Sequence, residues 1–242
     1  MRPLFFVGTW QPKHAIALDR SMISVNVLEH RVSDFAANDW LLDSGAFTRV
    51  SSGREHMPVV EYAAQIERWA NCGNLLAAVA QDYMCEPFVL DVTGLTVKDH
   101  QRLTIERYDA LAPLVHATYL MPVLQGYGPD DYVEHIRAYG NRLCEGQWVG
   151  VGSVCKRNSS VREIEAVLDA IKTERPDLRL HGFGLKLTAL ASGFVQAALW
   201  SCDSMAWSFA ARREGRDPNA LSEAIAYAER VNRIPFQTIL PI

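Results

Sequence analysis

Three aspartates each follow a short apolar run: Asp43 in LLDSGAF, Asp82 in AVAQDYM and Asp203 in WSCDSMAW. Three further runs end in small or polar residues, Gln125-Gly126 in VLQG, Gly150 to Ser153 in GVGS, and His181 to Gly184 in HGFG. Carboxylates that converge with glycines suit a flat ligand, because glycine lacks the Cβ that would hold the backbone away from it. Cleavage of a glycosidic bond also usually employs two carboxyl groups, one attacking the anomeric carbon and the other moving protons. Two successive displacements retain configuration, and a base-exchange reaction fits that scheme. Other roles suit the same residues one at a time. An aspartate at a strand end is a common helix N-cap, Gln125-Gly126 alone is a turn, and Phe47 fits a core position as well as a ligand platform. The GxG of Gly150 to Gly152 lacks the third glycine and the spaced acidic residue of a dinucleotide fingerprint, so neither a nicotinamide nor a flavin is indicated.

The elements that must position these residues alternate along the chain. Apolar, β-branched or aromatic runs occur at 4–8, 22–28, 40–45, 76–82, 119–126, 148–154, 178–184 and 199–204. Between them lie stretches of helical periodicity, clearest at 57–73, at 96–115, and at 159–177, where a Ser N-cap opens the stretch and a Pro stops it. The run from Leu187 to Cys202 reads as a buried helix feeding a strand, and is too short and too polar for a membrane span. Eight strand candidates alternating with helices predict an α/β fold, a compact (β/α)8 TIM-like barrel forming a single domain over 1–242. In such a barrel the active site lies at the carboxyl ends of the strands, where the polar residues above are found.

Composition narrows the partners. With 49% hydrophobic and 21% charged residues the chain is an ordinary globular one, and its formal charge of -4 supplies no global basic field. Any nucleic-acid contact must therefore be local. The five cysteines are widely spaced, with no CxxC pair and no nearby histidine cluster, so neither a disulfide framework nor a metal site is expected. The early apolar run is too short for a secretory signal, and a reducing, cytoplasmic setting is expected, that of the host if the chain is phage-encoded.

Taken in order, the motifs resemble the guanine transglycosylases, which exchange guanine for a 7-deazaguanine in nucleic acid. LLDSGAF resembles the family's DSGGF motif, AVAQDYMCEP its MAFDEC segment and VLQG its QGG-type strand end. GVGSV is similar to the GGLAV-type base-binding loop, HGFG to the MGVG turn, and CDSMAWSFAAR to the nucleophile segment. The last is especially close to the archaeal and DNA-directed branches, and the matches span residues 41 to 213.

The resemblance implies that Asp203 is the nucleophile of a covalent glycosyl-enzyme and Asp43 the acid/base group. It implies that Asp82 accepts hydrogen bonds from guanine N1–H and the amino group, a pattern adenine does not offer. Gln125 and Gly126, with Gly152 and the backbone amide of Ser153, would serve the six-position oxygen side. Phe47 would stack on one face of the base, with His181 and Gly182 at the other. A target base must be flipped or taken from a single strand, by this chain alone or with a protein partner that opens the duplex. Lys156, Arg157, Lys186, Arg212, Arg213 and Arg216 are the expected phosphate contacts at the barrel mouth.

Two departures refine the resemblance. The CxCxxC zinc-binding insertion of the tRNA enzymes is absent, and Ser153 stands where relatives often have Gly. The resulting expectation is a DNA-guanine transglycosylase inserting a 7-deazaguanine such as preQ0, acting without a cofactor. The alternatives are a tRNA-guanine transglycosylase, a non-catalytic base- or nucleic-acid-binding subunit, and an N-glycoside hydrolase.

Overall fold

Runs such as LFFVG and DWLLD are apolar on both faces, which suits strands covered by helices outside and packed side chains inside. In a computed structural model these runs form nine strands: β1 Leu4–Gly8, β2 Arg20–Ser24, β3 Asp39–Asp43, β4 Asn74–Val79, β5 Tyr119–Met121, β6 Val123–Leu124, β7 Trp148–Val151, β8 Arg179–Gly182 and β9 Leu199–Ser204. The structure describes residues 2–157 and 160–236. All registered pairs are parallel, in the order β5-β4-β3-β2-β1-β9-β8-β7-β6, a nearly closed barrel.

The sequence leads to one strand at 119–126, where the structure has two. Pro122 separates them, because a proline has no N–H to donate to a ladder. Before it, β5 pairs with β4; after it, β6 pairs with β7, and Gly150 N–H donates to the Pro122 carbonyl at 2.8 Å. The chain thus changes partner at the proline.

Eleven α-helices are assigned among the described residues: α1 Val25–Leu28, α2 Ala46–Val50, α3 Val59–Trp69, α4 Pro87–Thr93, α5 Val97–Leu111, α6 Pro129–Tyr139, α7 Val161–Glu174, α8 Leu187–Leu190, α9 Gly193–Ala198, α10 Ala206–Arg213 and α11 Leu221–Asn232. The helices expected from periodicity are α3, α5 and α7. In α5, Thr96 and Asp99 form a reciprocal capping box. Ser160 opens α7 without a side-chain capping bond. The expected helix before β9 is broken into α8 and α9 at Ser192, whose hydroxyl accepts from Val195 N–H at 3.2 Å.

The core has two layers. Phe6, Met22, Leu41, Val79, Met121 and Val123 pack together from strands on different sides of the barrel and fill its interior. Outside, Trp40 and Leu42 of β3 meet Ile66 and Trp69 of α3, while Val149 and Leu180 meet the buried stripe of α7. No helix among the described residues is long and apolar enough to cross a membrane.

Candidate active site

Because every strand runs the same way, their carboxyl ends converge at one mouth. Asp43 ends β3, Asp82 lies three residues beyond β4, and Gln125 directly follows β6. Gly152 and Ser153 follow β7, and Asp203 is the penultimate residue of β9. All six line a single cavity of about 280 Å³. This is a volume suited to a small ligand with a few fixed polar groups.

Asp203 is held from two sides. Its Oδ1 accepts from Gly184 N–H at 3.0 Å and lies 3.3 Å from His181 Nε2. Gly184 makes that approach at φ +64°, and an added Cβ there would stand 2.7 Å from the Cβ of Cys155. His181 is fully buried, and its Nδ1 lies 2.8 Å from Ser201 Oγ, which also accepts from Trp148 Nε1 at 2.8 Å. Those partners order the donors. The Asp203 carboxylate can only accept, so in a neutral ring Nε2 carries the hydrogen that faces it, and Nδ1 accepts from Ser201 Oγ, which takes Trp148 Nε1–H on its own oxygen.

Asp43 accepts from Gly45 N–H at 3.1 Å and from the Ser24 side chain at the end of β2. Gly45 has φ +70°, and a Cβ there would meet Asn26 Cγ at 2.6 Å, the amide that donates to the Gly45 carbonyl. Burial pushes the Asp43 carboxyl up to about 6; Ser24 opposes that shift and the charge of Asp203 adds to it. A carboxyl so placed can both give and take a proton near neutrality.

Asp82 begins a line of four polar groups. Gln125 Nε2 donates to Asp82 Oδ2, Ser153 Oγ lies 2.7 Å from Gln125 Oε1, and the same Oγ lies 2.9 Å from Glu86 Oε2. Cys85 N–H also donates to Ser153 Oγ at 2.8 Å. Gln125 is fixed through its backbone, which donates to His135 Nδ1 and accepts from Gln101 Nε2, both at 2.8 Å. A side chain at Gly152 would collide with the Gln125 amide, its Cβ falling 2.6 Å from Cδ, so the line needs glycine there. Ser153 itself has φ +54°, the only positive φ at a non-glycine residue among those described. Burial pushes Asp82 up to about 7, against the Gln125 hydrogen bond and with help from the charges of Asp43 and Glu86.

Other expected residues fall in different places. Phe47, on α2, lines the cavity at 38% exposure and meets Phe88 edge-on at 6.3 Å. His181 does not line the cavity. That corrects its expected place against a base: it packs among Phe6, Trp148 and Phe183 beneath Asp203, and Phe183 reaches the cavity instead. Gly126 and Gly182 are also outside the lining, and added Cβ atoms would meet Asp131 and Leu185, so close packing accounts for both glycines.

The expected cations divide. Arg157 is not a surface charge: it is 8% exposed, donates to the Ser153 and Tyr127 carbonyls, and stacks 4.5 Å from the Tyr127 ring centre. Arg216 is paired with Glu214 and Glu223. Arg212 and Arg213 are exposed on the last turn of α10, about 9 Å of helix rise beyond its start at the mouth. They therefore stand farther from the mouth than expected. Lys186 is exposed at the N-cap of α8. Lys156 lies in the turn after β7, and its side chain is outside the described residues.

Sequence reading missed Glu86, which a following proline disguises as a helix entry, and Ser24, which ends a strand whose expected span ran on to residue 28. It also missed Ser201 and Trp148, which act through His181. Among the described residues no three His, Cys, Asp or Glu side chains are grouped to hold a metal ion.

Residues 1–235 match the family model described as DpdA, DeoxyPurine in DNA protein A. No curated protein matches the chain.

Proposed function

The chain belongs to the DpdA family, and from that membership we propose that it is a DNA-guanine transglycosylase, exchanging guanine in DNA for a 7-deazaguanine such as preQ0. The observation that carries this reading is the pair of carboxyls sharing one cavity: Asp203, oriented by Gly184 and His181, and Asp43, tuned by burial to about 6.

In the first displacement an Asp203 oxygen bonds to C1′ of the target deoxyribose as the C1′–N9 bond breaks, and the departing guanine takes a proton from Asp43. In the second, the incoming 7-deazaguanine gives its N9 proton to Asp43, its nitrogen attacks C1′, and Asp203 leaves. The two inversions restore the starting configuration. No cofactor is needed in either step.

Asp82, as an ionised acceptor, would receive the N1–H and amino group of guanine, and Phe47 would stack on the base. The second N–H of Gln125 and the backbone N–H of Ser153 would meet the six-position oxygen. The base must leave its stack to reach this cavity, so the strand is flipped or already single. Lys186, Arg212 and Arg213 are the cations we assign to phosphate; Arg157 and Arg216 drop out of that role because carbonyls and carboxylates already occupy them.

The test is incorporation: labelled guanine or preQ0 is incubated with the protein and, in parallel, duplex DNA, single-stranded DNA and unmodified tRNA. Label in DNA alone is expected. Label in tRNA alone would move the substrate class, and label in neither would leave a binding subunit as the better reading.

A further inference from the structure

The hydrogens along Asp82, Gln125, Ser153 and Glu86 do not balance if both carboxyls are ionised. With the Gln125 amide as placed, its nitrogen serves Asp82, and Ser153 must donate to its oxygen. Ser153 has one proton, so its 2.9 Å contact to Glu86 then needs a hydrogen from Glu86. With the amide turned over, its nitrogen donates to Ser153 Oγ, which accepts Cys85 N–H as well and can donate to an ionised Glu86. The amide oxygen then faces Asp82 Oδ2, and Asp82 must carry the hydrogen. Either orientation requires one carboxyl proton, at one end of the line or the other. The side chains are buried and in direct contact, so an acceptor facing an acceptor along the line would be strongly unfavourable.

We propose that Asp82 and Glu86 share one proton through Gln125 and Ser153, and that Glu86 is a positioning residue that takes it when Asp82 faces a guanine-type base. This rests on the base-pocket reading given above and names a residue which that reading does not use. A guanine edge offers two donors, so it selects the arrangement with Asp82 bare, Gln125 nitrogen toward it and the proton on Glu86. The proton moves within the protein, and base binding then needs no exchange with solvent. An edge that presents an acceptor to Asp82 selects the opposite arrangement.

The ionisable groups around the line fit a retained proton. Asp82 feels the charges of Asp43 and Glu86, and its carboxyl is raised by burial. Cys85, beside Glu86 in the chain, is influenced by Asp131 of α6 and by Arg157 as well as by Glu86 and Asp82. Arg157 spends donors on the Ser153 and Tyr127 carbonyls, and Asp131 accepts from Tyr127 and Gly128 N–H. Cys155 offers only a thiol, 3.8 Å from Glu86 Oε1.

The experiment is a site-resolved carboxyl carbon-13 NMR titration of the full chain without ligand, followed by calorimetric binding of free guanine across pH. In the unaltered protein the Asp82 and Glu86 signals should titrate together, with one proton retained between them at neutral pH. Guanine should then shift the proton signature to Glu86 with no uptake from buffer, and affinity should fall by up to about tenfold per pH unit once that proton is lost on the alkaline side. Glu86→Gln supplies a permanent neutral donor to Ser153, so the alkaline fall should vanish and Asp82 should titrate alone at lower pH. Ser153→Ala should uncouple the two signals even where Glu86→Gln folds poorly. Two fully ionised carboxyls at neutral pH, or superimposable guanine-binding profiles for the two proteins, would overturn the proposal. Shared titration with no guanine binding would instead remove the base-pocket reading and leave the shared proton standing.

Discussion

His181 Nε2 stands 3.3 Å from Asp203 Oδ1, while its Nδ1 is held 2.8 Å from Ser201 Oγ. The ring is carried by β8 and held at both nitrogens by residues of β9. Ser201→Ala leaves Nδ1 and Trp148 Nε1 without their shared partner in a buried place, which should cost about 1–3 kcal/mol of stability. Exchange should slow as well, read as kcat falling more than KM rises in steady-state assays.

Asp203→Asn keeps an oxygen to accept from Gly184 N–H, so the barrel should fold. It removes the proposed nucleophile, and the covalent complex with DNA should disappear from denaturing gels along with exchange. A complex of unchanged yield would take Asp203 out of the covalent role.

Burial holds Asp82 well above its unfolded value of 3.8, at about 7. The folded state therefore binds its proton more tightly than the unfolded state. This group's contribution to stability is least favourable above about pH 7 and improves as the pH falls from there toward 4. Asp82→Asn lifts that penalty, and the variant should be more stable than the parent by about 2–4 kcal/mol at pH 8, with the gap narrowing toward pH 5 in thermal unfolding. The same variant should lose its preference for guanine over adenine.

Gly152→Ala puts a methyl group against the Gln125 amide. The amide must swing away from Asp82, so guanine binding should weaken about tenfold or more, with a stability loss of about 1–3 kcal/mol. Calorimetry with free guanine separates the two effects.

Arg212 and Arg213 are exposed on α10, whereas Arg216 is neutralised by two glutamates. Replacing the first two with Ala should lower DNA affinity and reduce the slope of log K against log salt by about two. Arg216→Ala should change the slope little. Equal effects from both would mean that the strand runs along a different face.

Much of this architecture is legible in the chain. Parallel strands covered on both sides leave continuous apolar runs, and the polar residues that end those runs, Asp43, Asp82, Gln125 and Asp203, meet in the cavity because all strands point one way. What escapes is whatever depends on the third dimension at short range. His181 and Arg157 look like mouth residues by position. Yet the partners that bury them, Ser201 and Asp203 for one and the carbonyls of Ser153 and Tyr127 for the other, are fixed only by strand register and loop path. Pro122 lies inside what reads as a single apolar run. That the strand changes neighbours there follows only from the closed sheet.

The register between β1 and β9 has a temporal meaning. Phe6 is paired with Asp203, and β9 is held between β1 on one side and β8 on the other. Phe6 and Asp203 lie nearly two hundred residues apart in sequence, so the β1–β9 pairing is a long-range contact that forms late, after the intervening strands have been made, and is of the kind that slows folding.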